Sequence, residues 1–165
     1  MFNFFLKKRK YEDLTETVAA IAQFLIDDTG SDLPTPFKEF LDSNKLDYSL
    51  ESLKYVDSYL DKVRKKQNEL SDDQWIKVIL RCGSYCGETI RKNSEKDLYW
   101  INYDTAITIN PRINDFEKSA EIFYILFSEP QNLYFPLAKV VKYLENGPED
   151  SLYFFAVAVR EFKQE

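Results

Sequence analysis

Histidine is absent from this chain of 165 residues. It is the most frequent general base near neutral pH and the most frequent metal ligand in proteins. Catalytic arrangements that pair serine or cysteine with histidine therefore cannot be built from this chain alone. Zinc needs four ligands, usually cysteine and histidine, and the chain offers two cysteines. Since the chain also lacks a catalytic or cofactor motif, the sequence predicts no metal and no cofactor, and it favours a non-enzymatic protein over an enzyme without deciding between them.

Cysteine and long apolar runs are also scarce. The two cysteines, Cys82 and Cys86, lie four residues apart in one predicted helix, where a disulfide is poorly placed, so we interpret them as small buried residues. A secretory signal begins with basic residues and continues with a longer apolar region than this chain has. No later run is long or apolar enough to span a bilayer. These absences predict a cytoplasmic protein.

Basic residues are fewer than acidic ones, 22 against 28, which gives a formal net charge of −6. Binding to a phosphate backbone needs a concentrated basic surface, so this balance argues against nucleic acid as a partner. Aromatic residues, by contrast, make up 16% of the chain. Large rings dominate both cores and interfaces, and an acidic surface attracts a basic protein. We therefore expect a protein partner, with a basic surface.

Residues 1–10 carry an apolar cluster, Phe2, Phe4, Phe5 and Leu6, directly before a run of four basic residues. One interpretation is peripheral membrane contact, with the rings at an anionic surface and the basic side chains paired with lipid headgroups. The interpretation that we favour is a first hydrophobic contact followed by a solvated charge run.

Apolar residues recur at three- and four-residue spacing in five segments, which predicts amphipathic helices. These segments are 12–28, 49–67, 71–93, 136–146 and a last one that begins at Asp150. A further short helical turn is expected at 37–41. Asp57 lies on or beside the apolar face of the second helix, where we expect it to pair with a lysine or an arginine.

Residues 98–110 are rich in aromatic and β-branched side chains and predict two short strands with a turn near Asp104 and Thr105. Residues 121–127 predict a third strand, although periodicity alone does not separate a short apolar strand from a buried helix. The same ambiguity affects 152–159, which we assign to the last helix. The sequence therefore predicts an α+β fold, a small antiparallel sheet of about three strands packed against four to five helices, in a single domain.

Helix 71–93 starts with a capping-box pattern, Ser71 and Gln74, and contains two glycines one turn apart, Gly83 and Gly87. Glycine costs a helix interior about 1 kcal/mol relative to alanine, so this pair needs a reason. Without side chains at these positions, another backbone or a large ring can lie directly on the helix. We favour close packing against a neighbouring element. The alternative is a floor for a ligand or for a side chain of a partner.

Three stretches of the chain have a spacing in common with a group of known proteins. They read G-x-Y-x-G-E at 83–88, tryptophan at Trp100 and P-x-x-K-V-x-K-x-L at 136–144. This pattern resembles that of an uncharacterised family of small bacterial proteins, a domain of unknown function. The resemblance covers residues 46–165, the family-like core, and leaves 1–45 outside it as an N-terminal helical extension. It implies membership of that family and no particular activity.

Glu88, which follows the glycine pair, is the candidate catalytic residue. A carboxylate partly shielded by neighbouring aromatic rings would have a raised pKa and could act as an acid or a base. The alternative, which we favour, is a salt bridge from this carboxylate to Arg81, Arg91 or Lys92. For binding, we select three aromatic residues, one acid and two lysines: Tyr85, Tyr99, Trp100, Glu88, Lys139 and Lys142.

These observations favour a non-enzymatic cytoplasmic protein that binds another protein through an acidic, aromatic-rich surface, such as an immunity or accessory protein. The first alternative is an enzyme or a small-ligand-binding protein that uses a cleft around Glu88. A weaker alternative is a peripheral membrane protein that uses residues 1–10.

Overall fold

Six α-helices and one three-stranded antiparallel sheet build residues 8–162, the part of the chain that this computed structural model describes. The helices are α1 (Thr15–Ile26), α2 (Leu53–Arg64), α3 (Asp72–Asn93), α4 (Tyr103–Ile109), α5 (Pro136–Asn146) and α6 (Leu152–Glu161). The strands are β1 (Leu98–Asn102), β2 (Tyr124–Ser128) and β3 (Asn132–Tyr134). The predicted α+β fold is confirmed.

Helix α3 lies at the centre of the fold. It begins with the expected capping box: the Ser71 hydroxyl oxygen accepts the N–H of Gln74 at 3.2 Å, and the Gln74 side chain accepts the N–H of Ser71 at 3.0 Å. Every residue from 81 to 90 is buried, because α1, α5 and α6 pack around this length of the helix. The charged residues within it, Arg81 and Glu88, therefore need partners inside the protein.

The sheet has the order β1-β2-β3, with Trp100 opposite Leu126 and Leu126 opposite Tyr134. One face, which includes Trp100 and Leu126, belongs to the main core with α3 and α5. The other face, which includes Tyr99 and Phe127, forms a second core with α4. Successive residues of a strand point to opposite faces, so both faces of this small sheet are covered.

The glycine pair of α3 lies where two other elements come closest to this helix. A Cβ atom at Gly83 would lie 2.7 Å from the Cα atom of Leu137 in α5, and one at Gly87 would lie 2.1 Å from Cζ2 of Trp100 in β1. Non-bonded carbon atoms pack at about 3.5–4.0 Å, so neither position has room for a side chain. The predicted close packing is confirmed, and it sets the positions of β1 and α5.

The strand predictions were right in number and partly wrong in place. Residues 98–102 form β1, but the predicted second strand is helix α4, because the Asn102 side chain caps it by accepting the N–H of Thr105 at 2.8 Å. Its apolar residues then face the second core at helical spacing, with Ala106 fully buried. The strand predicted at 121–127 is β2, which begins later, after a 3-10 turn. Strand β3 was not predicted, since it has three residues and no alternating pattern.

The helix predictions hold with shorter ends. Segment 12–28 contains α1, segment 49–67 contains α2 after a 3-10 turn, and 136–146 coincides with α5. The turn expected at 37–41 is a 3-10 helix. The last helix is α6, and Ser151 rather than Asp150 is its cap, because the Ser151 hydroxyl oxygen accepts the N–H of Phe154 at 3.3 Å. Segment 152–159 is therefore helical.

The predicted membrane contact falls mainly on residues 1–7, which lie outside the described residues, so it stays a prediction. Within residues 8–162, no helix combines the length and the apolar character that crossing a bilayer requires.

Replacing Gly87 by alanine should lower the free energy of unfolding by about 2 to 3 kcal/mol, since the added methyl group overlaps the buried ring of Trp100. Gly30→Ala is the matched control, because a Cβ atom there meets nothing within 4 Å, and it should change stability by less than about 1 kcal/mol. Urea denaturation of both variants measures the difference. Equal stability of the two variants would contradict the packing described here.

Candidate functional site

Glu88, the predicted catalytic candidate, is fully buried and has three hydrogen bonds. The guanidinium of Arg91 donates from Nε to Oε1 at 3.0 Å and from Nη2 to Oε2 at 2.9 Å. The indole Nε1–H of Trp100 donates to Oε1 at 2.8 Å. The favoured salt bridge is therefore present, with Arg91 as the partner. A two-pronged contact of this kind satisfies a buried carboxylate and gives it a structural role; the catalytic role stays a prediction.

Both the ring and the backbone of Trp100 are held by neighbouring elements. Its ring lies on the bare surface of α3 at Gly87, and its backbone belongs to β1. The N–H of Leu14 donates to the Trp100 carbonyl oxygen at 2.9 Å, and the Trp100 N–H donates to the Thr15 hydroxyl oxygen at 3.2 Å. These bonds cover the outer edge of β1 with the start of α1. Trp100 thus joins three elements and presents no surface to solvent.

Tyr85 is also buried, one turn before Glu88 on α3. Its hydroxyl oxygen accepts the N–H of Tyr48 at 3.0 Å and lies 2.7 Å from the Ser52 hydroxyl oxygen. The rings of Tyr85 and Tyr48 stack with centroids 4.8 Å apart. Burial raises the pKa of Tyr85. Tyr48 has a φ of +61°, which few non-glycine residues adopt, and the Tyr85 hydroxyl stabilises that turn.

Tyr99 points to the opposite face of the sheet from Trp100. Its ring packs edge-on against Phe127, with centroids 5.3 Å apart, and the guanidinium carbon of Arg9 lies 4.1 Å from its ring centre. Burial raises the pKa of Tyr99. The structure therefore does not bring Tyr99 together with Glu88, because the two side chains lie on opposite faces of β1.

The two predicted lysines lie on α5 and differ in their surroundings. Lys139 donates to Asp150 at 2.5 Å, and the Asn146 amide donates to the same carboxylate at 2.7 Å. The hydrogen bond from Lys139, together with the one from Asn146, lowers the pKa of Asp150. Lys142 is exposed. Lys139 thus has an internal partner, whereas Lys142 is open to solvent, and the binding role predicted for both stays a prediction.

The cysteines are both free and fully buried in α3. Burial raises the pKa of the Cys82 and Cys86 thiols, which keeps them protonated at neutral pH. Within residues 8–162, no three side chains of cysteine, aspartate and glutamate are placed to hold one metal ion.

Asp57 has a role that the sequence analysis missed. It was expected to pair with a lysine or an arginine, and that prediction was wrong. Its carboxylate instead accepts the Ser151 hydroxyl at 2.6 Å and the N–H of Leu152 at 2.8 Å, with a longer contact to the N–H of Tyr153 at 3.3 Å. These are the free donors at the start of α6, where negative charge is favourable. No local signal reveals this contact, since the partner residues lie more than 90 positions away along the chain.

The same part of the molecule carries exposed aromatic rings, and we call it the α2–α6 surface. Phe154 is 70% exposed and Tyr55 is 40% exposed. The Phe154 ring packs edge-on against Tyr153, with centroids 5.3 Å apart. The surface consists of seven residues from α2, from α6 and from the turns before these helices: Glu51, Lys54, Tyr55, Asp57, Glu149, Tyr153 and Phe154.

Charges on the α2–α6 surface are mainly negative, with three acids and one lysine. Glu51 forms an ion pair with Lys54 at 2.6 Å and accepts the Tyr153 hydroxyl at 3.3 Å. Glu149 is exposed. Within residues 8–162, no lysine or arginine forms an ion pair with Asp57 or Glu149. The surface therefore combines exposed rings with two carboxylates, Asp57 and Glu149, that have no ion-pair partner in this described part of the chain.

Comparison of this chain with protein-family models, with curated proteins and with solved structures finds no match. The resemblance to a family of small bacterial proteins stays a prediction.

The half-buried position of Asp57 generates a pH-dependent prediction. Burial raises its pKa above the ordinary value near 3.8, although the hydrogen bond from Ser151 and those from the helix backbone act in the opposite direction. A raised pKa means that the folded state favours the protonated form. The resulting stabilisation is complete below the ordinary pKa and is lost as the pH rises through the raised pKa.

The stability of the wild type relative to Asp57→Asn should therefore fall as the pH rises through that window, because asparagine does not titrate. Urea denaturation of both proteins at a series of pH values, from about 3 to about 7, measures this difference. A relative stability that increases with pH would contradict the burial of the Asp57 charge.

Proposed function

We propose that this chain is a non-enzymatic cytoplasmic protein that binds a basic protein through the α2–α6 surface, as an immunity or accessory protein would. The observation that carries the proposal is the exposure of Phe154. It is the most exposed of the large apolar side chains in the described part of the chain, and it lies beside Tyr153. Exposed rings of this kind supply contact area at binding sites.

Electrostatics supports the choice of a basic partner. The α2–α6 surface has three acids and one lysine, and the whole chain has a net charge of −6. Complementary charge raises the rate of encounter and disfavours acidic partners. Aromatic residues at the centre of an interface then provide most of the binding free energy.

The buried positions of the residues selected from sequence favour this outer surface over a cleft at Glu88. Tyr85, Glu88, Tyr99 and Trp100 are each at most 1% exposed. A partner could reach them only after the core had opened. Their contacts stabilise the fold that presents the α2–α6 surface.

The proposal can be tested by capturing partners from lysate of the source cells with the tagged protein. The test variant is Tyr55→Ser with Phe154→Ser, and the matched control is Phe116→Ser with Phe123→Ser, since those rings are 66% and 47% exposed in a different part of the fold. We expect the wild type and the control to recover the same basic protein and the test variant to lose it. Recovery should also fall as salt rises from about 0.1 M to about 1 M, where the Debye length shortens from about 10 Å to about 3 Å.

Equal recovery by the test variant and the control variant would contradict a role for the α2–α6 surface. Recovery that does not depend on salt would contradict the electrostatic part of the proposal.

A further inference from the structure

A hollow of about 310 Å³ opens on the α2–α6 surface. Its floor includes the half-buried Asp57 and the buried Ser151, and its rim is formed by the exposed side chains of Lys54, Pro148 and Phe154. Small-molecule sites in proteins start at about 300 Å³, so this hollow suits a single side chain better than a larger ligand.

The carboxylate in the hollow has no ion-pair partner among the described residues, although the positive charge of Lys139 is close enough to act on it. Asp57 accepts hydrogen bonds from Ser151 and from the backbone at the start of α6, but no lysine or arginine of residues 8–162 forms an ion pair with it. Burial of a carboxylate without an ion-pair partner is unfavourable, and burial raises the pKa of Asp57 even though Lys139 acts in the opposite direction. A cation brought from outside would remove that cost.

The rings at the rim are suited to the same cation. Lys54 already places its ammonium group 4.4 Å from the ring centre of Tyr153, which shows that this ring can accept a positive charge on its face. Glu51 binds the Lys54 ammonium at 2.6 Å. Phe154 has most of its ring free for a second cation. Attraction between a cation and an aromatic face strengthens when the site is shielded from water.

We propose that this hollow receives one basic side chain, a lysine or an arginine of the protein partner, with its charge at the Asp57 carboxylate and its methylene chain against Tyr153 and Phe154. The inference rests on the proposed function, because it states what the α2–α6 surface recognises. Lys54 lines the same hollow and disfavours the incoming charge. Its removal should therefore strengthen binding.

The probe for this proposal is Nα-acetyl-lysine methylamide, and the control probe is Nα-acetyl-norleucine methylamide, which has the same backbone and an uncharged side chain. Titration of the isotope-labelled full chain is followed by the amide resonances of Asp57, Ser151, Leu152 and Tyr153. We expect the lysine probe to shift these four resonances in a saturable way and the norleucine probe to leave them unchanged.

Two variants separate recognition from mere stabilisation of α6. Asp57→Asn should weaken binding of the lysine probe at least about tenfold, the usual effect of losing a hydrogen bond to a charged group. Lys54→Gln, an exposed substitution that leaves the fold intact, should tighten it about threefold, because an exposed like charge is removed. If Asp57 only stabilises α6, the affinity for the lysine probe should be the same in Lys54→Gln as in the wild type.

Equal shifts with both probes, or unchanged affinity in Lys54→Gln, would overturn the proposal, and neither result requires Asp57→Asn to fold.

The outcome of the probe titration is also distinct from that of the capture experiment. If Tyr55→Ser with Phe154→Ser loses the partner while the lysine probe fails to bind, the α2–α6 surface keeps its function and the assignment of the hollow is wrong. If the lysine probe binds as expected while that variant keeps the partner, the hollow binds a basic side chain and the proposed function is wrong.

Discussion

The close contact between α3 and the indole ring of Trp100 is the constraint on which the rest of the structure depends. Because Gly87 has no side chain, the ring lies directly on the helix, and its N–H reaches the Glu88 carboxylate. Arg91 supplies the countercharge from the next turn. Loss of Arg91 would leave Oε2 of this buried carboxylate without a hydrogen bond, and loss of Glu88 would leave the Trp100 N–H without an acceptor in the core. The contact thereby fixes the sheet against the helices.

The close packing at the glycine pair was predictable from the sequence because its signal is local, whereas Trp100 as the ring that lies there was not. Gly83 and Gly87 stand out within one helix, and the cap at Ser71 lies just before it. Residues 103–109 show the opposite case, since their composition favours a strand while the cap at Asn102 and the burial of Ala106 make a helix. Tertiary packing overrides propensity there. The contact of Asp57 with the start of α6 could not be predicted from the sequence either, because Ser151 is 94 residues away along the chain.

The residues that the sequence made conspicuous and the residues that are accessible to a partner form two different sets. Glu88 and Trp100 are conspicuous because their packing requirements are strict, and this same packing removes them from solvent. Phe154 is inconspicuous in the sequence, where it looks like one more apolar residue of a helix. Only the position of α6 against α2 reveals that its ring faces outward, next to a carboxylate without an ion-pair partner within residues 8–162. The candidate site therefore emerged from exposure and unpaired charge rather than from a motif.

Hydrogen exchange of the Trp100 indole N–H, followed by NMR, tests the central contact most directly. Trp75, which is partly buried near the start of α3, provides an internal reference. The account predicts that the Trp100 indole proton exchanges only through global unfolding, so that its protection free energy equals the unfolding free energy from urea denaturation, while the Trp75 proton exchanges much faster. Exchange of the Trp100 proton as fast as that of Trp75 would contradict the account.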